Sequence, residues 1–179
     1  MNQHGFRYLL LMLLLWGVSG GLLADIQVPN YDFSTATIEP FYPGASVEKI
    51  KSDKAIQSEI YEDAGNLKTY KFKLKKANYN LDIFAQAKDD KITSMFVRLP
   101  QYFNHDLVLT DLQKKYKKQD KFVRKDLSAL YVWMNRDGSN IIYHGTCSLS
   151  CFPMFIEVVS TDKAVIPFYQ KMNLAIPKW

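Results

Sequence analysis

Cysteine is scarce in this chain: Cys147 and Cys151 are the only two in 179 residues. That excludes a disulfide-dense scaffold, in which bridges replace a hydrophobic core. Glycine and proline are modest, at 8 and 7, and no low-complexity stretch interrupts the sequence, so a globular chain is expected. There is no P-loop, no Gly-x-Ser-x-Gly, no His-Glu-x-x-His and no dinucleotide-binding fingerprint. No apolar run reaches the roughly 20 residues that a membrane-spanning helix needs. No cysteine lies near residue 24, which excludes a lipid-modified N-terminal cysteine there.

What is present begins with an export pattern. Met1–Arg7 is a short start with one basic side chain, Tyr8–Val18 is almost purely apolar, and Ser19–Ala24 is a small-residue exit. These are the three regions of a secretory signal peptide, with cleavage expected after Ala24. Removing 1–24 takes away Arg7 and no acid, so the remainder stays mildly basic. Roughly 155 residues are left, enough for one domain with its own core. The expected location is a Gram-negative periplasm, with secretion as the alternative. Residues 25–43 carry Pro29, Pro40 and Pro43 without a clean period and read as an extended N-terminal arm.

The following residues alternate between helical and strand patterns. Ser46 before Val47 and Ile50 predicts a helix near 46–54. Tyr70, Phe72 and Leu74 alternate with Lys71, Lys73 and Lys75, which is a half-buried strand. Tyr79, Leu81 and Ile83 repeat the alternation, Asp89-Asp90 turns, and 92–99 forms the next strand before Pro100. Thr110 with Gln113 reads as a capping box for a helix near 107–118. Strands then follow at 122–125, 127–134, 140–145 and 152–159, with Asp137-Gly138 as a hairpin turn. A short helix is possible near 164–172, within a C-terminal segment 161–179.

The order is helix, strands, helix, strands. Met95-Phe96-Val97 and Met154-Phe155-Ile156 sit 59 residues apart, Tyr70 and Tyr131 sit 61 apart, and Leu81 and Ile141 sit 60 apart. The expected fold is therefore α+β over 44–160: a mainly antiparallel sheet with two short helices on one face, divisible into tandem units 44–100 and 105–160. A helix opened by Gly44-Ala45-Ser46-Val47, then a meander with a tyrosine-led strand, resembles the envelope modules of the BamE type. Tandem pairing of such units resembles the beta-lactamase inhibitor protein fold. The Leu-Gly-x-Pro that usually ends the first helix of such modules is absent after Ile50. The resemblance implies a binding or assembly module without catalytic residues.

The motif richest in chemistry is His144-Gly-Thr-Cys147-Ser-Leu-Ser-Cys151-Phe-Pro-Met154. In a regular hairpin centred on Leu149, Cys147 faces Cys151 and His144 faces Met154. Side chains three residues apart on a strand point to opposite faces, so the motif splits into two pairs. A cross-strand disulfide is expected, worth about 2 kcal/mol for so small a loop. The alternative is copper: thiolate, thioether and imidazole suit Cu(I), and Cys-x3-Cys occurs in binuclear copper centres and Sco-type chaperones. The binuclear pattern would need histidine where Phe155 stands, and the Sco-type pattern would need Pro directly after Cys151, where Phe152 stands. Thiol-redox work by the same two cysteines is a further alternative.

Two other groups stand out. His105-Asp106 could pair a base with its orienter, but no nucleophile motif accompanies them; the expected roles are a helix cap at Asn104 or Asp106 and a surface histidine. Lys114, Lys115, Lys117, Lys118, Lys121, Arg124 and Lys125 form a basic run interleaved with Tyr116 and Phe122 and diluted by Asp111, Asp120 and Asp126. In an exported protein such a run fits an anionic membrane or cell-wall surface rather than nucleic acid. The sequence thus points to an exported binding or envelope-assembly module, partnered by another envelope protein, with no catalytic residue and no cofactor. The alternatives are a copper or thiol-redox accessory protein and an inhibitor-like module acting on an exported enzyme.

Overall fold

A computed structural model describes residues 32–125, 128–145, 154–162 and 165–171. The fold is α+β with mostly strands: one eight-stranded antiparallel sheet and a few short helices. The strands are β1 (Gln57–Ala64), β2 (Leu67–Lys75), β3 (Asn80–Lys88), β4 (Lys91–Arg98), β5 (Lys121–Lys125), β6 (Ser128–Arg136), β7 (Ser139–His144) and β8 (Phe155–Ser160). The helices are α1 (Val47–Lys51), α2 (His105–Tyr116) and α3 (Phe168–Lys171). The order across the sheet is β1-β2-β3-β4-β8-β7-β6-β5. It reads as the same pattern from either edge: a helix, then a four-strand meander whose last strand lies at the centre.

Alternation builds the first face. Phe72, Leu81, Ile83, Met95, Val97, Trp133, Ile141, Tyr143, Ile156 and Val158 bury beneath the helices as one core, joined by Val47 and Ile50 of α1 and Val108, Leu112 and Tyr116 of α2. The last three recur at helical spacing on one side of α2. α1 begins where Ser46 Oγ accepts from Lys49 N–H and donates to the Asp90 carboxylate at 2.6 Å, which pins the helix to the β3–β4 turn. The bond from the Ser46 hydroxyl, with a second from Glu48 N–H, holds the Asp90 carboxyl below its ordinary range.

The second face is also closed at the centre. Phe96, Leu130, Val132, Ile142, Phe155 and Val159 bury there under Phe168 and Tyr169 of α3. The wholly buried Glu157 accepts from the backbone N–H groups of both α3 residues, tying the helix to the sheet.

Several expectations need correction. The N-terminal arm is not extended over its described part: Thr35–Thr37 and Glu39–Phe41 are 3-10 turns, and Phe33, Ile38 and Phe41 are buried in the first core. α2 starts earlier than predicted. Asn104 Oδ1 accepts from Asp106 and Leu107 N–H, so Thr110 and Gln113 lie inside the helix and form no capping box. β1 lacks any sequence signal, being exposed on both faces along its length.

Candidate functional site

β7 and β8 pair with Ser139 opposite Ser160 and His144 opposite Phe155. That is one residue away from a hairpin centred on Leu149, and a one-residue slip turns every side chain of a strand to the other face. The expected meeting of His144 with Met154 is thereby replaced. His144 lies on the second face, stacked on Phe155 and hydrogen-bonded through Nε2 to Ser128 Oγ. Met154 lies in the first core, its Sδ 3.5 Å from Tyr143 Oη. Cys147 and Cys151, with the expected disulfide or copper site, fall outside the described residues. Among the described residues, no three His, Cys, Asp or Glu side chains gather as a metal site.

The second correction concerns His105. It is buried, only 5% exposed, rather than a surface residue. Its ring stacks on Tyr143, and its Nδ1 lies 2.8 Å from Tyr143 Oη. Gly145 closes this cluster. A Cβ there would stand 2.6 Å from Tyr143 Oη and 3.0 Å from His105 Nδ1, so only glycine fits. Burial depresses the His105 pKa, partly offset by the neighbouring Asp106 carboxylate. The cluster is a packed internal joint between α2 and β7.

The basic run divides between two places. Lys114, Lys115, Lys117 and Lys118 lie at and just beyond the end of α2, and Lys121, Arg124 and Lys125 lie on the edge strand β5; all seven are exposed. Lys115 pairs with Glu39 and stands over the rings of Tyr42 and Tyr116.

The feature that sequence reading missed is an aromatic row across the second face. Tyr61 meets Phe84 edge-on at 5.0 Å, Phe84 approaches Phe96 at 6.5 Å, Phe96 meets Phe155 at 5.1 Å, and Phe155 stacks on His144. The middle of the row is roofed by α3, with Phe168 against both Phe84 and Phe96. Beside that roof an open groove of about 550 Å³ remains, floored by Phe84 and Phe96 and rimmed by Asp82, Arg98 and Tyr102. Tyr61 and Tyr102 are 60% and 52% exposed. No family model matches the chain, and no curated protein or solved structure matches it. The groove and the rows of side chains around it are therefore the ground on which a function is argued. The local signal was a set of aromatics at second-face positions of β3, β4 and β8, opposite in phase to the helix-covered residues.

Proposed function

We propose that this is an exported binding or envelope-assembly module without catalytic activity, which takes an extended apolar segment of another envelope protein along the second face of its sheet. The observation that carries this is the open groove beside α3, floored by Phe84 and Phe96 of the aromatic row and rimmed by Tyr102, with the exposed Tyr61 standing against Phe84. Aromatic side chains bury large areas with few rotatable bonds, which makes them effective anchors. Asp82 and Arg98 at the rim supply opposite charges that orient a bound segment, although Asp82 is already held by Lys71 at 3.0 Å. The BamE-type resemblance of the helix-plus-meander units and the signal-like N-terminus support the same compartment and role. The exposed lysines at the end of α2 add an anionic membrane or cell-wall surface as a second contact.

A photocrosslinking side chain in place of Tyr102, in cells, tests the reading against the same probe in place of Lys114. The expected result is one discrete envelope polypeptide captured at position 102 only, with the yield falling at least tenfold when Tyr61→Ser is added. Equal labelling at both positions, or none at 102, would overturn it. Copper or thiol-redox use of Cys147 and Cys151 is the alternative, and the register leaves it without His144 and Met154 as a joint pair of ligands.

A further inference from the structure

The two edges of the sheet carry opposite charge. β1 bears Glu59, Glu62 and Asp63 and no basic residue, while β5 bears Lys121, Arg124 and Lys125 and no acid. All of β1 is exposed, as are four of the five residues of β5. Exposed apolar side chains sit on both: Ile60 and Tyr61 on β1, and Phe122, 50% exposed, on β5. On β1, Asp63 pairs with Lys68 at 3.1 Å and Glu59 approaches Lys71 at 3.9 Å. Among the described residues Glu62, Arg124 and Lys125 make no ion pair.

We propose that β1 of one copy pairs with β5 of a second copy, continuing the sheet head to tail. Three relationships carry this. Neighbouring strands alternate in direction throughout, so β1 and β5 run opposite ways. Two copies set side by side in the same orientation therefore meet through an antiparallel pair like every other in the sheet.

The faces agree as well. Ile60 lies opposite Tyr70 and Phe122 opposite Tyr131, and both tyrosines pack against the helix-covered core. Ile60 and Phe122 thus share one face. Glu59 and Glu62, opposite Lys71 and Thr69, project to the other face, as do Lys121 and Lys125 on either side of Val123. Arg124, opposite Ala129, and Asp63, opposite Lys68, lie on the first face with Phe122 and Ile60, so both faces bring acid towards base and the first also brings Ile60 towards Phe122.

Charges and bulges on an edge ordinarily block pairing between copies. Here the sign differs between the edges, so repulsion acts against β1–β1 and β5–β5 contacts and not against β1–β5. The extra residue at Tyr61 breaks the β1 ladder between Ile60 and Glu62. It leaves four residues, Gln57–Ile60, on one side, close to the five that β5 offers. The contact is heterologous, so it builds a ring or an open array rather than a closed two-fold dimer. It uses the edges and not the groove, and stands or falls separately from the binding role proposed above.

Sedimentation velocity on the whole chain tests it at about 0.01 M and about 1 M salt, where the Debye length is roughly 30 Å and 3 Å. The expected result at low salt is an average mass that at least doubles with rising concentration, and at high salt the mass of one chain. Glu59→Lys with Glu62→Lys, and separately Arg124→Glu with Lys125→Glu, should each give single chains. An equal mixture of the two variants should associate again. These positions are exposed, so unchanged thermal unfolding shows that each variant is folded. Single chains of the parent at low salt, association of either variant at parental strength, or a mixture that stays as single chains would each overturn the proposal. So would loss confined to the β5 variant, which is the pattern of an anionic partner.

Discussion

His144 lies flat on Phe155, with ring centroids 5.1 Å apart and planes 13° apart, and the two are cross-strand partners in β7 and β8. The pairing belongs to the β7–β8 register, Ser139 opposite Ser160 through His144 opposite Phe155. Met154, the residue before Phe155, lies in the opposite core against Tyr143, where its thioether fills space. Met154→Leu keeps the volume and should cost less than about 1.5 kcal/mol in urea unfolding. It should also leave the Cu(I) stoichiometry of the reduced protein unchanged. Phe155→Ala removes the stacked partner and should cost about 3–5 kcal/mol. A fall in Cu(I) uptake caused by Met154→Leu would show that His144 and Met154 do act together.

Gly145 gives a steric prediction. The atom that Gly145→Ala adds would meet the Tyr143 hydroxyl oxygen at 2.6 Å and ring carbon Cζ at 2.9 Å, and Tyr143 is wholly buried. Neither ring can retreat without disturbing the stack with His105. Overpacking of this kind costs about 1–3 kcal/mol. Adding Tyr143→Phe removes the hydroxyl and should recover part of the loss. The urea midpoints of the two single variants and the double variant decide this, since independent sites would simply add.

His105 makes stability depend on pH. Burial holds its pKa below the ordinary value of 6.5, so the unfolded chain takes up a proton that the folded chain refuses. The unfolded state then binds more protons, and stability falls as pH drops. The contribution is complete above about pH 6.5 and is lost progressively from there down to the lower folded value. The groups facing the ring are the Asp106 carboxylate, which opposes the shift, the Tyr143 hydroxyl and the ring of Tyr131, 5.8 Å away. His105→Gln should remove this part of the pH dependence. The difference in unfolding free energy between parent and variant should therefore shrink from pH 7.5 towards pH 5. A constant difference would assign the residue a purely steric role.

Half-buried elements were legible in the sequence, and elements at either extreme of burial were not. β2 alternates Tyr70, Phe72 and Leu74 with lysines because one of its faces is wet. β1 was invisible because both its faces are wet, and nothing in Gln57–Ala64 marks an inner side. β8 hid its register for the opposite reason: five of its six residues are buried, so no polar phase shows which side chains look where. The capping box at Thr110 and Gln113 was outcompeted by Asn104, whose short side chain reaches two N–H groups at once. The aromatic row was missed because it lies on a face that an antiparallel sheet usually leaves to solvent, and here α3 covers part of it.

Lys117 links the basic run to the core and separates stability from function. It ends α2 with φ 68° and ψ −160°, a region that side chains other than glycine occupy at a cost of about 1–3 kcal/mol. The conformation is held because the Trp133 indole nitrogen donates to the Lys117 carbonyl at 2.8 Å, and Trp133 is wholly buried. Lys117→Gly keeps that carbonyl and relieves the strain. Glycine returns about 0.4–1 kcal/mol through the freer unfolded chain, so the net gain should be about 0.5–2 kcal/mol. Trp133→Phe should instead lose about 1–3 kcal/mol, because the carbonyl is left without its donor. If the end of α2 contacts anionic surfaces, Lys117→Gly should weaken binding to phosphatidylglycerol vesicles while raising the urea midpoint. Binding that is unchanged in the stabilised variant would confine Lys117 to its structural role and move any anionic contact to the neighbouring lysines.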